Sequence, residues 1–126
     1  MKAELINGNT LAFVGDAIYS LMVREYLVKQ GNQKSNVLQK LSIEFVSAKA
    51  QSAALKIMQD EKILSEEEED IVKRGRNTKT NSVAKNVDVI TYRNATGFEA
   101  LLGYLYLNEE NERLKFLMNF IIERKG

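Results

Sequence analysis

The sequence predicts an all-α fold, a compact helical bundle, on three observations. Helix-start residues repeatedly precede apolar residues spaced three and four apart, no stretch alternates as a half-buried strand does, and several turn residues occur without sustained heptads. With 126 residues, 44% of them hydrophobic, and no linker, residues 1–126 are expected to form a single domain around one core.

The elements follow in order. Thr10 is expected to cap a helix over roughly Leu11 to Lys29, ended by Gly31 and Asn32. Ser35 or Asn36 starts a short helix with Val37, Leu38, Leu41 and Phe45 on its apolar side. Ser47 opens SAKAQSAALKIMQD, a run of good helix formers. Ser65, followed three residues on by Glu68, forms a capping box. In that helix Glu66 to Asp70 complement the positive end of the dipole, and Glu69/Lys73 and Asp70/Arg74 are spaced four apart, which assigns the acidic run to helix stabilisation. An apolar helix spans Asn94 to Asn108, and a last one, around Glu110 to Glu123, aligns Leu114, Leu117, Met118, Ile121 and Ile122.

Composition excludes several chemistries. Histidine and cysteine are both absent, so there is no imidazole acid/base pair, no thiolate nucleophile, no thiolate zinc site and no disulfide. The N-terminus lacks a signal-peptide core and no apolar run approaches the ~20 residues that span a bilayer, so the protein is expected to be cytoplasmic, with no membrane partner.

Two acids stand out. In LAFVGDAIYSLMV, Leu11 to Val23, Asp16 is the only charge, and in NATGFEALLGYLYLN, Asn94 to Asn108, Glu99 is the only one. Stretches this apolar suit helices buried on most sides, where a carboxylate costs several kcal/mol unless a cation or hydrogen bonds compensate it. Each acid alone has an ordinary alternative, pairing with a basic residue or capping a helix. Together they carry more, because Gly15, Gly97 and Gly103 flank them and suggest close backbone approach. Two carboxylates without nitrogen or sulfur ligands favour a hard cation, Mg²⁺ or Mn²⁺, and so phosphoryl chemistry.

Lys73 to Arg93 carries Lys73, Arg74, Arg76, Lys79, Lys85 and Arg93 against one acid, Asp88, although the net charge of the chain is only +1. Read as a long basic loop, it is a candidate phosphate-binding surface for a nucleic-acid duplex, with Asn77 beside the cations. Only Tyr92 is aromatic there, which speaks against stacking on single-stranded bases.

The signature LAFVGDAIYSLMVREYLV resembles that of the ribonuclease III family, and FEALLGYLYL resembles its second motif. VSAKAQ at Val46 to Gln51, EEEEDIVKRGRN at Glu66 to Asn77 and KNVDVITYRNATGFEALLGYLYL at Lys85 to Leu107 narrow the resemblance to the Mini-ribonuclease III branch over nearly the whole chain. The resemblance implies a ribonuclease III endonuclease-domain bundle that works as a homodimer on double-stranded RNA. It implies that Asp16 and Glu99 are catalytic and hold Mg²⁺, which Mn²⁺ may replace; the basic segment makes Lys73, Arg74, Arg76, Asn77, Lys79 and Lys85 the residues expected to meet that RNA. It further implies maturation of precursor 23S ribosomal RNA, with 5′ phosphate and 3′ hydroxyl products.

Two departures from the larger family members accompany it. Ala12 and Thr96 stand where those carry further acids, a pattern similar to that of the Mini-ribonuclease III branch. No double-stranded-RNA-binding domain is expected beyond the single catalytic domain, so affinity is expected to come from the domain's own basic surface. Two rival readings remain from sequence: a catalytically inactive relative that binds RNA or serves ribosome assembly, and a helical adaptor whose two acids are merely salt-bridged.

Overall fold

The computed structural model describes residues 2–31, 34–78 and 88–125. Among these, a one-turn 3-10 helix, Ala3–Leu5, precedes six α-helices: α1 Gly8–Lys29, α2 Ser35–Val46, α3 Ala48–Asp60, α4 Glu66–Arg76, α5 Val89–Leu107 and α6 Asn111–Lys125. The predicted helical bundle is thus observed, and no strand occurs among the described residues.

Helix α5 is the hub. Helix α1 packs along it most extensively, α4 and α3 cover further sides, and α6 folds back on its C-terminal part. Ala95, Gly97, Phe98 and every residue from Ala100 to Leu105 are buried, as expected of a helix apolar around its circumference. The α1–α5 crossing is made backbone to backbone. A methyl group at Gly15 would lie 1.7 Å from the Glu99 carbonyl oxygen, and one at Gly103 would lie 1.9 Å from that of Leu11.

The start signals hold with two shifts. Ser47 and Ser65 cap α3 and α4, and the Ser65/Glu68 capping box closes in both directions. Helix α1 begins earlier than expected: Asn7, not Thr10, is its cap, because the Asn7 side chain accepts the Thr10 N–H at 2.8 Å. Helix α5 also begins earlier, at Val89, because the Asp88 carboxylate accepts from the Thr91 N–H and hydroxyl. The basic stretch read as one loop is therefore partly helical, with Lys73, Arg74 and Arg76 in α4 and Tyr92 and Arg93 in α5.

The expected ion pairs along α4 are replaced by longer-range contacts. Among the described residues no ion pair joins Asp70 to Arg74 or Glu69 to Lys73. Glu69 accepts from Gln59 at 2.9 Å, and Arg74 donates to the carbonyls of Glu4, at 2.9 Å, and Ile6, tying the N-terminal turn to α4. Glu68 is buried and receives the Arg113 guanidinium through two bonds, at 2.7 and 2.8 Å, which clamps α6 to the start of α4. Burial pushes the Glu68 carboxyl up, but the Arg113 and Ser65 bonds outweigh that and hold it below its ordinary range. Removing one partner of such a pair typically costs about 3–5 kcal/mol, since the other charge stays buried.

Helix α1 carries more apolar surface around its circumference than its own chain covers, as its sequence leads one to expect. Leu11, Tyr19, Val23 and Leu27 are core, but Phe13, Leu21 and Val28 are exposed by 81%, 63% and 56%. The reason is that its neighbours α2, α4 and α5 all lie against its other side.

Candidate active site

Where α1 crosses α5, Asp16 and Glu99 meet. Gly15 lets α1 settle on the Glu99 backbone, and the next residue, Asp16, then reaches the Glu99 carboxyl in hydrogen-bonding contact. Asp16 is exposed and Glu99 partly buried, so the pair opens to solvent on the α1 side. Burial raises the Glu99 pKa to about 8, the hydrogen bond and charge of Asp16 add to the rise, and a hydrogen bond from Gln51 opposes it.

Among the described residues no protein cation compensates these acids. Among the described residues neither Asp16 nor Glu99 takes part in an ion pair, which removes the salt-bridge alternative there. Two carboxyls in contact must share either a proton or a cation. The set offers only carboxylate oxygens, which suit a hard divalent ion that keeps several waters. Among the described residues no group of three or more acids gathers. Ala12 is buried, and the Thr96 hydroxyl donates to the Tyr92 carbonyl at 3.1 Å, so neither position supplies a further carboxylate.

The C-terminus of α4 comes to the same helix. A methyl group at Gly97 would lie 2.8 Å from Arg76 Cγ, so the Arg76 stem rests on α5 two residues before Glu99. Lys73, Arg76 and Asn77 are exposed there, and Arg74 is half-buried by its bonds to the N-terminal turn. Asn7, Asn9, Thr10, Arg74, Asn77 and Thr78 line an open recess between the starts of α1 and the end of α4. Lys79 and Lys85, expected in the same surface, lie outside the described residues.

Gln51 was given no role by the sequence reading. Its amide donates to Glu99 Oε2 at 3.3 Å and to the Val46 carbonyl at 2.9 Å. The signal was present: Gln51, Leu55 and Met58 share the buried face of α3, and a glutamine in an apolar stripe is an anomaly. Next to it, Ser52 accepts from Asn94 at 3.2 Å, a second polar link between α3 and α5.

A fold of this kind, with two acids at the crossing of its central helices, matches a known family. Residues 9–110 match the model of the ribonuclease III domain. The chain belongs to the ribonuclease III family. Within it, the chain is 51% identical over 121 residues to Mini-ribonuclease 3 of Enterococcus faecalis, covering 96% of this chain and 92% of that one. It is 49% identical to Mini-ribonuclease 3 of Streptococcus pneumoniae, covering 98% and 97%. A crystal structure of a protein from Fusobacterium nucleatum superposes with a TM-score of 0.85 at 34% identity, covering 97% of this chain and 96% of that one. The sequence resemblance to the Mini-ribonuclease III branch is thereby borne out.

Proposed function

We propose that this chain is an endoribonuclease that cuts double-stranded RNA with a divalent cation held by Asp16 and Glu99. The observation that carries the reading is the contact between two carboxyls that no cation among the described residues compensates. Mg²⁺, or Mn²⁺ in its place, supplies a Lewis acid for the phosphate and a bound water of lowered pKa. The protein does the rest by position. The Gly15 contact fixes the spacing of the two acids, and the exposed side of Asp16 admits a phosphodiester from solvent.

Lys73, Arg76 and Asn77 face solvent at the end of α4 and are assigned to RNA phosphates and sugar hydroxyls, with Arg74 adding charge at the rim of the recess. Lys79 and Lys85 extend the same basic run in sequence. The exposed apolar side of α1 is the surface for a second copy, which sets two sites against the two strands of a duplex. Precursor 23S ribosomal RNA, the substrate that the motif resemblance implies, is the proposed natural duplex. Among the described residues no helix is long and apolar enough to cross a membrane, which is compatible with a cytoplasmic site of action.

Cleavage of a duplex RNA in Mg²⁺ and in EDTA, by the wild type, Asp16→Asn and Glu99→Gln, tests the proposal. Wild type should cut only with the metal, and both variants should bind the duplex without cutting it. Cleavage that survives EDTA, or that either variant retains, would overturn the assignment. Duplex binding without cleavage by the wild type would instead establish the inactive RNA-binding relative.

A further inference from the structure

Gln51 is almost fully buried one turn inside α3, on the face that Leu55 and Met58 give to the core. An apolar residue suits that position, and the glutamine is imperfectly housed: its Oε1 has no hydrogen-bond partner among the described residues. A buried acceptor left in this way costs free energy that a leucine of similar size would avoid. Packing therefore does not account for the residue, whereas its amide nitrogen does.

That nitrogen is held by a break in the backbone. At Ser47 the chain turns extended, φ −62° and ψ 153°, which ends α2, starts α3, and leaves the Val46 carbonyl free of any continued helical ladder. Gln51 Nε2 donates to this carbonyl at 2.9 Å, which fixes the plane of the amide. The second N–H is thereby aimed across to α5 and meets Glu99 Oε2 at 3.3 Å. On its other flank the Glu99 carboxyl meets Asp16. The α2–α3 break, the amide and the acid form one rigid relay.

We infer that Gln51 is a positioning residue that holds the Glu99 carboxylate in place for the cation shared with Asp16. The inference rests on the proposed metal-binding role of those two acids. Groups that orient a metal-holding carboxylate typically contribute 10- to 100-fold, by order of magnitude, to metal affinity.

Full-length Gln51→Leu and Gln51→Met should be compared with wild type and Glu99→Gln for Mn²⁺ binding, read from the electron paramagnetic resonance signal of free Mn²⁺, and for thermal unfolding. Both Gln51 variants should stay folded, with at most a modest fall in melting temperature from the freed Val46 carbonyl, yet bind Mn²⁺ about tenfold more weakly. The Mg²⁺ concentration for half-maximal cleavage should rise in parallel, with KM for the duplex unchanged. If Glu99→Gln loses Mn²⁺ while both Gln51 variants bind it as wild type does, the positioning role is overturned and the metal site stands. If Glu99→Gln binds Mn²⁺ as wild type does, both are overturned. Marked destabilisation of both Gln51 variants with Mn²⁺ affinity intact would make Gln51 structural only and overturn the inference.

Discussion

The Asp16 and Glu99 carboxyls meet because Gly15, the neighbour of one, rests on the backbone carbonyl of the other. Gly103 makes the same kind of contact one turn further along α5, against Leu11. The site is therefore a consequence of how closely two helices cross, and its geometry depends on two missing methyl groups.

Gly15→Ala and Gly103→Ala should each destabilise the fold by about 3 kcal/mol, the upper end for overpacking, because backbone atoms and not flexible side chains oppose the methyl. Thermal unfolding reads the loss, and Mn²⁺ binding by the folded fraction reads the separation of the acids. Wild-type stability in either variant would show that the crossing is loose.

The Glu99 carboxyl predicts an unusual pH dependence for metal-free protein. Its pKa is raised in the folded state to about 8, from an ordinary value of 4.5. Between these values the folded state binds more protons than the unfolded one, so this group's contribution to stability falls as pH rises. The contribution is fully present below pH 4.5, is lost progressively as pH rises toward 8, and stays lost above it. Glu68 works the opposite way, its folded pKa being lowered: its stabilisation is present above its ordinary value of 4.5 and is lost as pH falls through its folded value. Melting temperature in EDTA should consequently fall from pH 5.5 to about 8. Glu99→Gln should abolish that slope, and saturating Mg²⁺ should reduce it by stabilising the ionised pair. A flat profile for metal-free wild type would contradict the burial of Glu99.

How much of this was legible in the sequence divides along physical lines. The capping box at Ser65 and Glu68 and the cap at Ser47 were readable because they are local hydrogen bonds between residues three apart. Asp16 and Glu99 were readable because each is a lone charge in an apolar run. What could not be read depended on distant partners. Arg74 looks like an i,i+4 partner of Asp70, but the N-terminal turn brings two carbonyls to it. Gln51 looks like a minor flaw in an amphipathic helix until α5 is placed beside it. That α1 has more apolar surface than its own chain can cover was readable from its circumference; which residues stay exposed depends on the faces its neighbours occupy.

The basic end of α4 should separate charge from geometry. Lys73→Ala and Arg76→Ala should weaken duplex RNA binding and flatten its salt dependence by roughly 0.7 to 0.9 in logarithmic slope per lost phosphate contact. Asn77→Ala, uncharged, should weaken binding with little change of slope. Arg74→Ala should also lower the melting temperature, because it releases the Glu4 and Ile6 carbonyls. Filter binding across a salt series measures all four, and unchanged slopes for Lys73→Ala and Arg76→Ala would place the RNA elsewhere.

The last prediction concerns assembly. Phe13, Leu21 and Val28 lie eight and then seven residues apart, about two turns each, so they form one stripe on α1. All three are more than half exposed, and the exposed Asp16 is carried by the same helix. A self-complementary apolar stripe closes on its own copy around a two-fold axis, and a stable pair needs roughly 1,200 Å² or more of total buried surface. Wild type should accordingly sediment as a dimer at micromolar concentration. Phe13→Asp and Leu21→Asp place a charge on the stripe without touching the core, so they should yield folded monomers with wild-type helicity. With the two sites separated, such monomers should bind duplex RNA weakly and lose coordinated cutting of both strands. A wild-type monomer that cleaves both strands at micromolar concentration would refute the assembly, as would charged variants that stay dimeric and fully active.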